Sequence, residues 1–523
     1  MRRGSGFWLG LVLFALLVFG IRDYVIDDTF IHLQFAKHVR DGAGLVFNTG
    51  DPVPGATAPL WPLVLGWLAR GGADLVALAK ALSLVAGLVA LALFATAAHR
   101  LTLRREHAEA ATAAWAANAW MARWTPSGME TALAVVLVLA GWVVAWGRGT
   151  PASPRRRFEV GLLWGLAALA RPEAALLVAL YAAASALWPA GAHGAAPFVD
   201  RARAAAAVAL GAAVVLAPYA VYALGLYGSV LPQTLAAKGA GAVGPAVAVG
   251  QLVHAAKVVG AVCAVEGLAC LLLLPRFATL WRQGDAAVHA ASWGWLVLVP
   301  LGYAVRGLPV LSRYLLPLLP LLVLYAWWGL EHFRLSRDTR WRRAALAAAL
   351  GAALGLNLAV YRLQVVEHTR EFTLGMHRAL IPWGEWLAAN TPPDALVATP
   401  DIGAVAYYSD RRVLDLGGLV SPRIVPLMQR MDYDAMVRSF AFREAGRPAY
   451  LVDRGPGPER LRRESPFGPA LTPLFSARTQ SLGITKPDPV DYTLYRVDWA
   501  AADSIAAAEP GAAGGGPGPA SPR

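Results

Sequence analysis

Residues 24–50, YVIDDTFIHLQFAKHVRDGAGLVFNTG, decide how the rest of the chain is interpreted. They follow directly on an apolar segment, FWLGLVLFALLVFGI (7–21). Two adjacent carboxylates, Asp27 and Asp28, therefore stand a few residues beyond what looks like the edge of a membrane. Because like charges repel each other, this placement needs a structural or a chemical reason.

The composition supports a membrane protein. The chain has 523 residues, of which 57% are hydrophobic and 15% are charged, whereas a soluble globular chain carries roughly 25% charge. Apolar runs of roughly 20 residues recur along most of the sequence, and each can cross a hydrocarbon core of ~30 Å. The runs do not alternate as barrel strands do, so the sequence predicts an α-helical polytopic membrane protein.

The net charge of +13 raises the question of nucleic-acid binding. We exclude that class because the basic residues are mostly arginines in short loops between the apolar runs. Cys263 and Cys270 share one apolar run. Seven residues of helix separate them by ~10 Å, which is too far for a disulfide, so they are interpreted as buried thiols.

About eleven spans are predicted, and the first long loop covers residues 23–74. The spans are residues 6–22, 75–98, 107–123, 129–147, 157–170, 172–189, 203–224, 250–274, 287–305, 310–330 and 342–361. With a cytoplasmic N-terminus, the inside loops carry about twice as many basic residues as the outside segments. This orientation places the first loop and everything after the last span outside the cell membrane.

The character of the sequence changes after residue 362. Residues 1–362 form the predicted transmembrane module, and residues 363–500 a small extracytoplasmic α/β domain. In that domain MHRALIPWGEWLAAN indicates an amphipathic helix, and ALVATPDIGAVAYYSDRRVLDLGGL, PAYLVD and TLYRVDW indicate strands. Residues 501–523 are a low-complexity tail that is expected to be disordered.

The polar motifs that are not basic loops all fall on the outer side of this topology. The residues concerned are Asp27, Asp28, His32, Glu130, Arg171, Lys238, Arg306 and Arg313. Charge near a membrane is costly and usually faces a wet cavity. The sequence therefore predicts one outward-facing cavity that holds carboxylates and several cations.

Each of these residues also has a simpler interpretation. The two aspartates suit the N-terminus of a helix over 29–40, and Glu130 suits the first turn of the fourth span. His32 lies one helical turn after Asp28, where it orients that carboxylate, binds substrate, helps to hold a metal or makes a plain polar contact. The arginines serve equally as interfacial anchors, and Lys238 as a solvated loop charge.

Several stretches resemble the bacterial GT-C-fold glycosyltransferases. DDTFIHLQFAKHVRDGAGLVFNTGDPVPGATAPLW (27–61) looks like the first extracytoplasmic loop of that family. SGMETAL, ARPEA, YGSVLPQTLAAK, SRYLLPLLPLL and WLAANTPPDALVATPDIGAVAYYSDRRVLDLGGLVSP follow in family order. The most similar members are actinobacterial arabinofuranosyltransferase-like proteins, and protein O-mannosyltransferases and the lipid A aminoarabinose transferase are more distant. The loop departs from the family at Ala56, where an aromatic residue is usual.

The resemblance implies an inverting enzyme of cell-envelope glycan synthesis in the bacterial inner membrane. Such an enzyme moves a hexosyl or pentosyl group from a polyprenyl-phosphate donor to a hydroxyl of a glycan, lipid or protein acceptor. Asp28 or Asp27 is then the general base, and Arg171, Lys238 and Arg313, with Arg306 in reserve, bind the donor phosphate. His32 and Glu130 bind or orient substrate. No metal-ligand cluster is evident, although some relatives use a divalent cation.

Two other functions use the same features. A transporter or flippase of lipid-linked sugars also needs a charged outward cavity, but the sequence shows no convincing inverted repeat. A membrane scaffold that presents the C-terminal domain leaves the intramembrane cations and the acid pair without a purpose. The sugar and the acceptor are beyond what the sequence determines.

Overall fold

The computed structural model describes most of the chain. The described residues are 4–102, 104–146, 152–187, 197–234, 237, 249–250, 253–254, 256–260, 262, 286–305, 312–332, 339–480 and 489–508. Four predicted features, Lys238, Arg306 and the two cysteines, lie outside them, as do residues 509–523 of the predicted tail.

The described residues of the first part of the chain form helices joined by loops. Its helices are α1 (Ser5–Gly20), α2 (Asp27–Arg40), α3 (Leu60–Leu68), α4 (Leu75–Leu101), α5 (Arg105–Ala116), α6 (Ala119–Trp124), α7 (Thr131–Trp146), α8 (Pro154–Ala170), α9 (Ala174–Leu187), α10 (Phe198–Tyr227), α11 (Ala286–Val305), α12 (Ser312–Leu315), α13 (Leu319–His332), α14 (Thr339–Val360), α15 (Glu367–Arg378) and α16 (Leu380–Asn390). A π-helical stretch, Tyr361–Val366, joins α14 to α15. The backbone therefore has no helix break at residues 362–363, where the domain boundary was predicted.

Four helical segments among the described residues are long and apolar enough to cross a membrane: Leu75–Leu101, Phe198–Tyr227, Ala286–Val305 and Arg340–Asn390. Ala119–Ser127 and Thr131–Trp146 pass the same test together, although they meet at a bend of 120°. The predicted number of about eleven spans includes residues outside the described part and stays a prediction.

The bend before α7 changes a predicted span. Residues 107–123 were expected to be one helix, but the helix ends at Ala116 and α6 restarts after Asn118, whose side chain caps it by accepting from the Met121 N–H at 3.0 Å. At the bend Gly128 has a φ of +78°, a conformation that glycine adopts without strain. The turn lies against the first loop, where Trp61 Nε1 donates to the Gly128 carbonyl at 3.0 Å. Glu130 follows two residues later.

The C-terminal domain has one mixed sheet. Its strands are β1 (Leu396–Thr399), β2 (Arg412–Asp415), β3 (Tyr450–Gly455), β4 (Leu471–Thr479) and β5 (Val490–Val497), in the order β2-β1-β3-β5-β4. β1 runs parallel to β2 and β3, whereas β5 runs antiparallel to β3 and β4. Strands are present in each predicted stretch, but Gly403–Ser409, which was predicted as part of the strand-and-turn stretch, is a helix between β1 and β2, and β4 is an additional strand.

Short helices surround the sheet. They are α17 (Gly403–Ser409), α18 (Val425–Arg430), α19 (Tyr433–Arg438), α20 (Arg460–Glu464) and α21 (Trp499–Ala508). The last of these corrects part of a prediction, because residues 501–508 were assigned to a disordered tail. They are helical because Ala502 is buried and Trp499, Ile505 and Ala506 pack on the core formed by the sheet.

The C-terminal domain and the first loop share a core. Phe30 and Leu33 of α2 pack with Leu380, Val405 and Leu494 in one apolar cluster. Burial of this kind is worth about 1.5–3 kcal/mol for each large side chain. The domain is therefore held on the loop by apolar contact over a continuous surface.

Polar contacts set the register of that interface. Asn48 donates through Nδ2 to the Val413 carbonyl at 2.9 Å and accepts through Oδ1 from the Val413 N–H at 3.0 Å. Lys37 pairs with Asp410 at 2.8 Å. Asp27 accepts from the N–H groups of Gly403 and Ala404, each at 2.8 Å, and so caps α17.

Gly403→Ala is expected to loosen this interface. A Cβ at position 403 would lie 1.9 Å from the Asp27 backbone oxygen, so the backbone has to move. We expect a loss of about 1–3 kcal/mol in stability, typical of overpacking, and faster protease cleavage between α16 and β1. Gly71→Ala, where a Cβ would meet nothing within 4 Å, is the matched control. Unchanged unfolding temperature and protease resistance in Gly403→Ala would contradict this interpretation of the interface.

Candidate active site

A cavity of about 150 Å³ lies where the first loop, several helix ends and the C-terminal domain meet. Five of the predicted site residues line it: Asp28, His32, Glu130, Arg171 and Arg313. They come from α2, the bend before α7, the junction of α8 and α9, and α12. Within the described part of the chain, acids and cations therefore share a cavity, while the side of the membrane that it faces stays a prediction.

The carboxylate of Asp28 forms an ion pair with Arg313, and Nη2 of the arginine donates a hydrogen bond to Asp28 Oδ2. Arg313 is buried, and its Nε and Nη1 have no hydrogen-bond acceptor among the residues that the structure describes. Its guanidinium also lies 5.7 Å from the ring centre of Trp124 and 5.3 Å from that of Tyr314. The aromatic rings favour the cation and leave two N–H donors for an anionic ligand.

Glu130 is the centre of a second charged group. Its Oε1 lies 3.2 Å from Arg171 Nε, and its Oε2 lies 3.0 Å from His32 Nε2. Burial alone would raise the pKa of Glu130, but the charge of Arg171 and the charge and hydrogen bond of His32 lower it to about 2. Glu130 is therefore ionised, and it holds Arg171 and His32 at the cavity wall.

Arg171 is also held in place by Arg313 and Tyr314 of α12. Its Nη2 donates to the Arg313 carbonyl at 2.9 Å, and its guanidinium lies 5.1 Å from the centre of the Tyr314 ring. Tyr314 thus contacts both arginines. The two cations are brought together although 142 residues separate them.

The structure separates the two adjacent aspartates. Asp28 lines the cavity, whereas Asp27 faces α17 of the C-terminal domain and does not line it. Burial and the nearby Asp401 carboxylate raise the pKa of Asp27 to about 8, against the lowering effect of its two backbone hydrogen bonds. Of the two acids, Asp28 is the one that lines the cavity, and the assignment of the general base stays a prediction.

The chain is similar in sequence to a family model and to a curated protein. A family model described as a domain of unknown function (DUF8728) matches residues 368–509. The terminal β-(1→2)-arabinofuranosyltransferase of Mycobacterium tuberculosis is 28% identical over 255 residues, which is 45% of this chain and 38% of that protein. The chain thus spans less than half of the length of this curated relative.

Two solved structures have a similar backbone. ArnT from Cupriavidus metallidurans, bound to undecaprenyl phosphate, matches with a TM-score of 0.58 and 13% identity over 94% of this chain and 98% of its own. The oligosaccharyltransferase AglB from Archaeoglobus fulgidus, in complex with an inhibitory peptide and a dolichol-phosphate, matches with a TM-score of 0.52 and 11% identity over 85% and 69%.

This chain has the GT-C fold. The fold class predicted from the sequence, an α-helical polytopic membrane protein with a small C-terminal α/β domain, is confirmed. At these identities the likeness concerns the backbone, so the roles of the side chains rest on the cavity itself.

The cavity is also lined by residues that were not predicted from the sequence, among them Glu173, Tyr303, Tyr314 and Val420. Glu173 and Tyr314 stand in the motifs ARPEA and SRYLL that were already singled out, so inspection of those motifs could have found them. Tyr303 lies near the end of α11, and Val420 follows β2 in the C-terminal domain. No local signal marks Tyr303, because only packing brings it to the cavity, whereas Val420 stands in the stretch 386–422 that carries the family resemblance.

The predicted phosphate ligands Lys238 and Arg306 lie outside the described residues, so their positions stay predictions. Among the described residues, no group of three or more His, Cys, Asp or Glu side chains is arranged to hold a metal ion. The part played by a divalent cation therefore stays open.

Glu130→Gln is expected to destabilise the protein in a pH-dependent way. Removing one charge from a buried pair costs about 3–5 kcal/mol, because Arg171 loses its partner. The folded pKa of about 2 lies below the ordinary value of 4.5, so this stabilisation is fully present above pH 4.5 and is lost as the pH falls toward 2. The difference in unfolding temperature from the wild type should therefore shrink between pH 4.5 and 2.

The exposed Glu106, 3.9 Å from Arg104, supplies the control for that measurement. Glu106→Gln should change the unfolding temperature little at any pH. A Glu130→Gln deficit that stays constant down to pH 2 would show that the charge of Glu130 does not stabilise the fold.

Proposed function

We propose that this protein is an inverting glycosyltransferase that moves a sugar from a polyprenyl-phosphate donor to an acceptor hydroxyl at the extracytoplasmic face of the bacterial inner membrane. The observation that carries the proposal is the Asp28–Arg313 pair in a cavity with a second buried arginine. A proton acceptor lies beside cations that can bind a leaving phosphate, and displacement at an anomeric carbon needs both.

The reaction follows from these positions. The Asp28 carboxylate removes the proton of the acceptor hydroxyl while the hydroxyl oxygen forms a bond to the anomeric carbon. The bond between that carbon and the phosphate oxygen breaks, and its electron pair leaves with the phosphate. Nε and Nη1 of Arg313 donate to the phosphate oxygens, and Arg171 adds a second positive charge.

Arg313 also positions the base in this scheme. One of its nitrogens holds Asp28, and the other two are available to phosphate, so a single guanidinium fixes the distance between base and leaving group. Its planar fork suits this double contact better than a lysine would. Trp124 and Tyr314 hold the plane of the fork in place.

The surroundings suit a lipid-linked donor. The cavity wall includes the apolar side chains of Ile31, Phe35 and Met129, and apolar helices surround the charged centre. We place the N-terminus in the cytoplasm and the C-terminal domain outside, which lets the lipid tail stay in the bilayer while the phosphate reaches the arginines. ArnT was solved with a carrier of this chemical type, undecaprenyl phosphate.

The C-terminal domain supplies the wall of the acceptor side. Leu419 and Val420 line the cavity, and Asp415 holds their loop by accepting from the Gly417 N–H at 2.7 Å and the Val420 N–H at 2.8 Å. In this arrangement Asp27 has a docking role: it fixes the domain that closes the cavity. The acceptor is a glycan, a lipid or a protein hydroxyl.

A reconstituted assay tests the proposal. The purified protein is placed in lipid nanodiscs with polyprenyl-phosphoryl arabinofuranose, mannose or glucose and a mixture of cell-envelope glycans. We expect release of polyprenyl phosphate with one of the three donors and attachment of its sugar to the glycan. In liposomes, movement of donors across the bilayer without cleavage would instead identify a flippase. If neither transfer nor movement were observed, the protein would be a scaffold.

A further inference from the structure

Glu173 is a carboxylate of the cavity wall that the proposed mechanism does not use. Its Oε1 accepts a hydrogen bond from the Tyr303 hydroxyl, while its Oε2 is buried and has no hydrogen-bond donor among the described residues. The side chain lines the same cavity as Asp28 and Arg313. A buried carboxylate oxygen without a donor is unfavourable by about 1–3 kcal/mol or more, so the arrangement calls for a ligand that donates one.

Glu173 is held firmly in this position. Trp295 Nε1 donates to its backbone carbonyl at 2.8 Å, which ties the α8–α9 junction to α11. It is also not needed to neutralise Arg171, because that arginine pairs with Glu130 at 3.2 Å. A fixed carboxylate with a spare acceptor is a recognition group, comparable to the few well-placed polar groups that orient a ligand in an otherwise apolar pocket.

The position of Glu173 relative to the arginines limits what it can bind. Arg171 lies 5.1 Å from the centre of the Tyr314 ring, Tyr314 stacks on Tyr303 at 5.4 Å with an interplanar angle of 12°, and Tyr303 reaches Glu173. A chain of contacts through these two rings therefore connects Arg171 to the Glu173 carboxylate. A group that binds here is part of the molecule that carries the phosphate. It must itself be uncharged, since the Glu173 carboxylate would repel an anion.

We propose that Glu173 and Tyr303 form the subsite that binds the hydroxyl groups of the donor sugar. The inference rests on the proposed function, because it takes the phosphate to lie at Arg313 and Arg171. Glu173 accepts a hydrogen bond from a sugar hydroxyl through Oε2, the oxygen that has no donor among the described residues. Tyr303 holds the other carboxylate oxygen and so sets the direction in which Glu173 points.

The test compares lipids with and without a sugar. Binding of polyprenyl phosphate, and of polyprenyl-phosphoryl arabinofuranose, mannose and glucose, is measured on the full chain in nanodiscs. The sugar lipid that the wild type binds more tightly than bare polyprenyl phosphate is the probe. Glu173→Gln should weaken binding of that probe by about tenfold or more, and binding of polyprenyl phosphate by less than about twofold.

Two further variants separate recognition from a structural effect. Tyr303→Phe keeps the stacked ring, so it should shift binding in the same direction by a smaller factor. Glu159→Gln, which removes an exposed carboxylate paired with Arg155 on α8, should change neither affinity. Unfolding temperatures of all three variants show whether the fold is retained.

The outcomes are distinct. Equal weakening of both lipids by Glu173→Gln, or weakening of neither, overturns the subsite. A wild type that binds no sugar lipid more tightly than polyprenyl phosphate overturns it as well, while leaving the phosphate site intact. A wild type that binds none of the four lipids removes the proposed function itself.

Discussion

Asp28→Asn is expected to lower the rate of sugar transfer by about 10²–10⁴-fold, the usual contribution of a general base. Asparagine keeps the size of the side chain and can still accept from Arg313, but it cannot take a proton. Binding of the donor should therefore be nearly unchanged while kcat falls. The measurement is release of polyprenyl phosphate at saturating donor, together with a direct binding titration.

Two neighbouring aspartates serve as comparisons for Asp28. Asp23 is exposed and pairs with Arg22 at 3.9 Å, so Asp23→Asn should leave the rate within about twofold. Asp27→Asn should act mainly on stability, because an amide cannot accept from both the Gly403 and Ala404 N–H groups. If Asp28→Asn turned over at the wild-type rate and Asp27→Asn did not, the two roles would have to be exchanged.

Arg313→Ala is expected to weaken binding of polyprenyl phosphate by about 100-fold or more. Two donors to a charged ligand are lost, each worth about 1.5–3 kcal/mol, and 1.4 kcal/mol corresponds to a factor of ten. Asp28 loses its partner at the same time, so transfer should also fall. Isothermal titration of the protein in nanodiscs with polyprenyl phosphate measures the affinity directly.

Arg313→Lys and Arg155→Ala complete that experiment. Lysine keeps the charge but loses the fork, so its affinity should lie between those of the wild type and Arg313→Ala. Arg155 is exposed and pairs with Glu159 on its own helix, so Arg155→Ala removes a positive charge away from the cavity and should have little effect. Equal losses in Arg313→Ala and Arg155→Ala would mean that overall charge, not this site, attracts the lipid.

The cavity was predictable to a useful extent. The positive-inside pattern put Asp28, His32, Glu130, Arg171 and Arg313 on one side of the membrane, and the structure brings these five together. The pattern could do so because topology depends on local charge and hydropathy, which can be read along the chain. The bend at Gly128 and the break after Ala116 were not foreseen. The first depends on the contact of Gly128 with Trp61 of the first loop, and at the second the Ala119 N–H donates to Asn357 of α14.

The pairing within the cavity could not be foreseen either. Sequence reasoning treated Glu130 as a helix cap or a substrate ligand, whereas it holds Arg171 and His32 in a buried charged group. It also placed nothing of the C-terminal domain at the site, yet Val420 forms part of the wall. These contacts join segments that are distant along the chain, and no periodicity within either segment records them.

The amino-acid sequence by itself determined the apolar helices and the small C-terminal sheet, and it predicted that the acids and cations gather together, because apolar length, charge and strand alternation are local properties. Only the tertiary structure decided which aspartate serves the cavity. Side chains of adjacent helical residues point about 100° apart, so one must turn away. The N-terminus of α17, 376 residues further along the chain, donates to Asp27, whereas Asp28 pairs with Arg313 in the cavity.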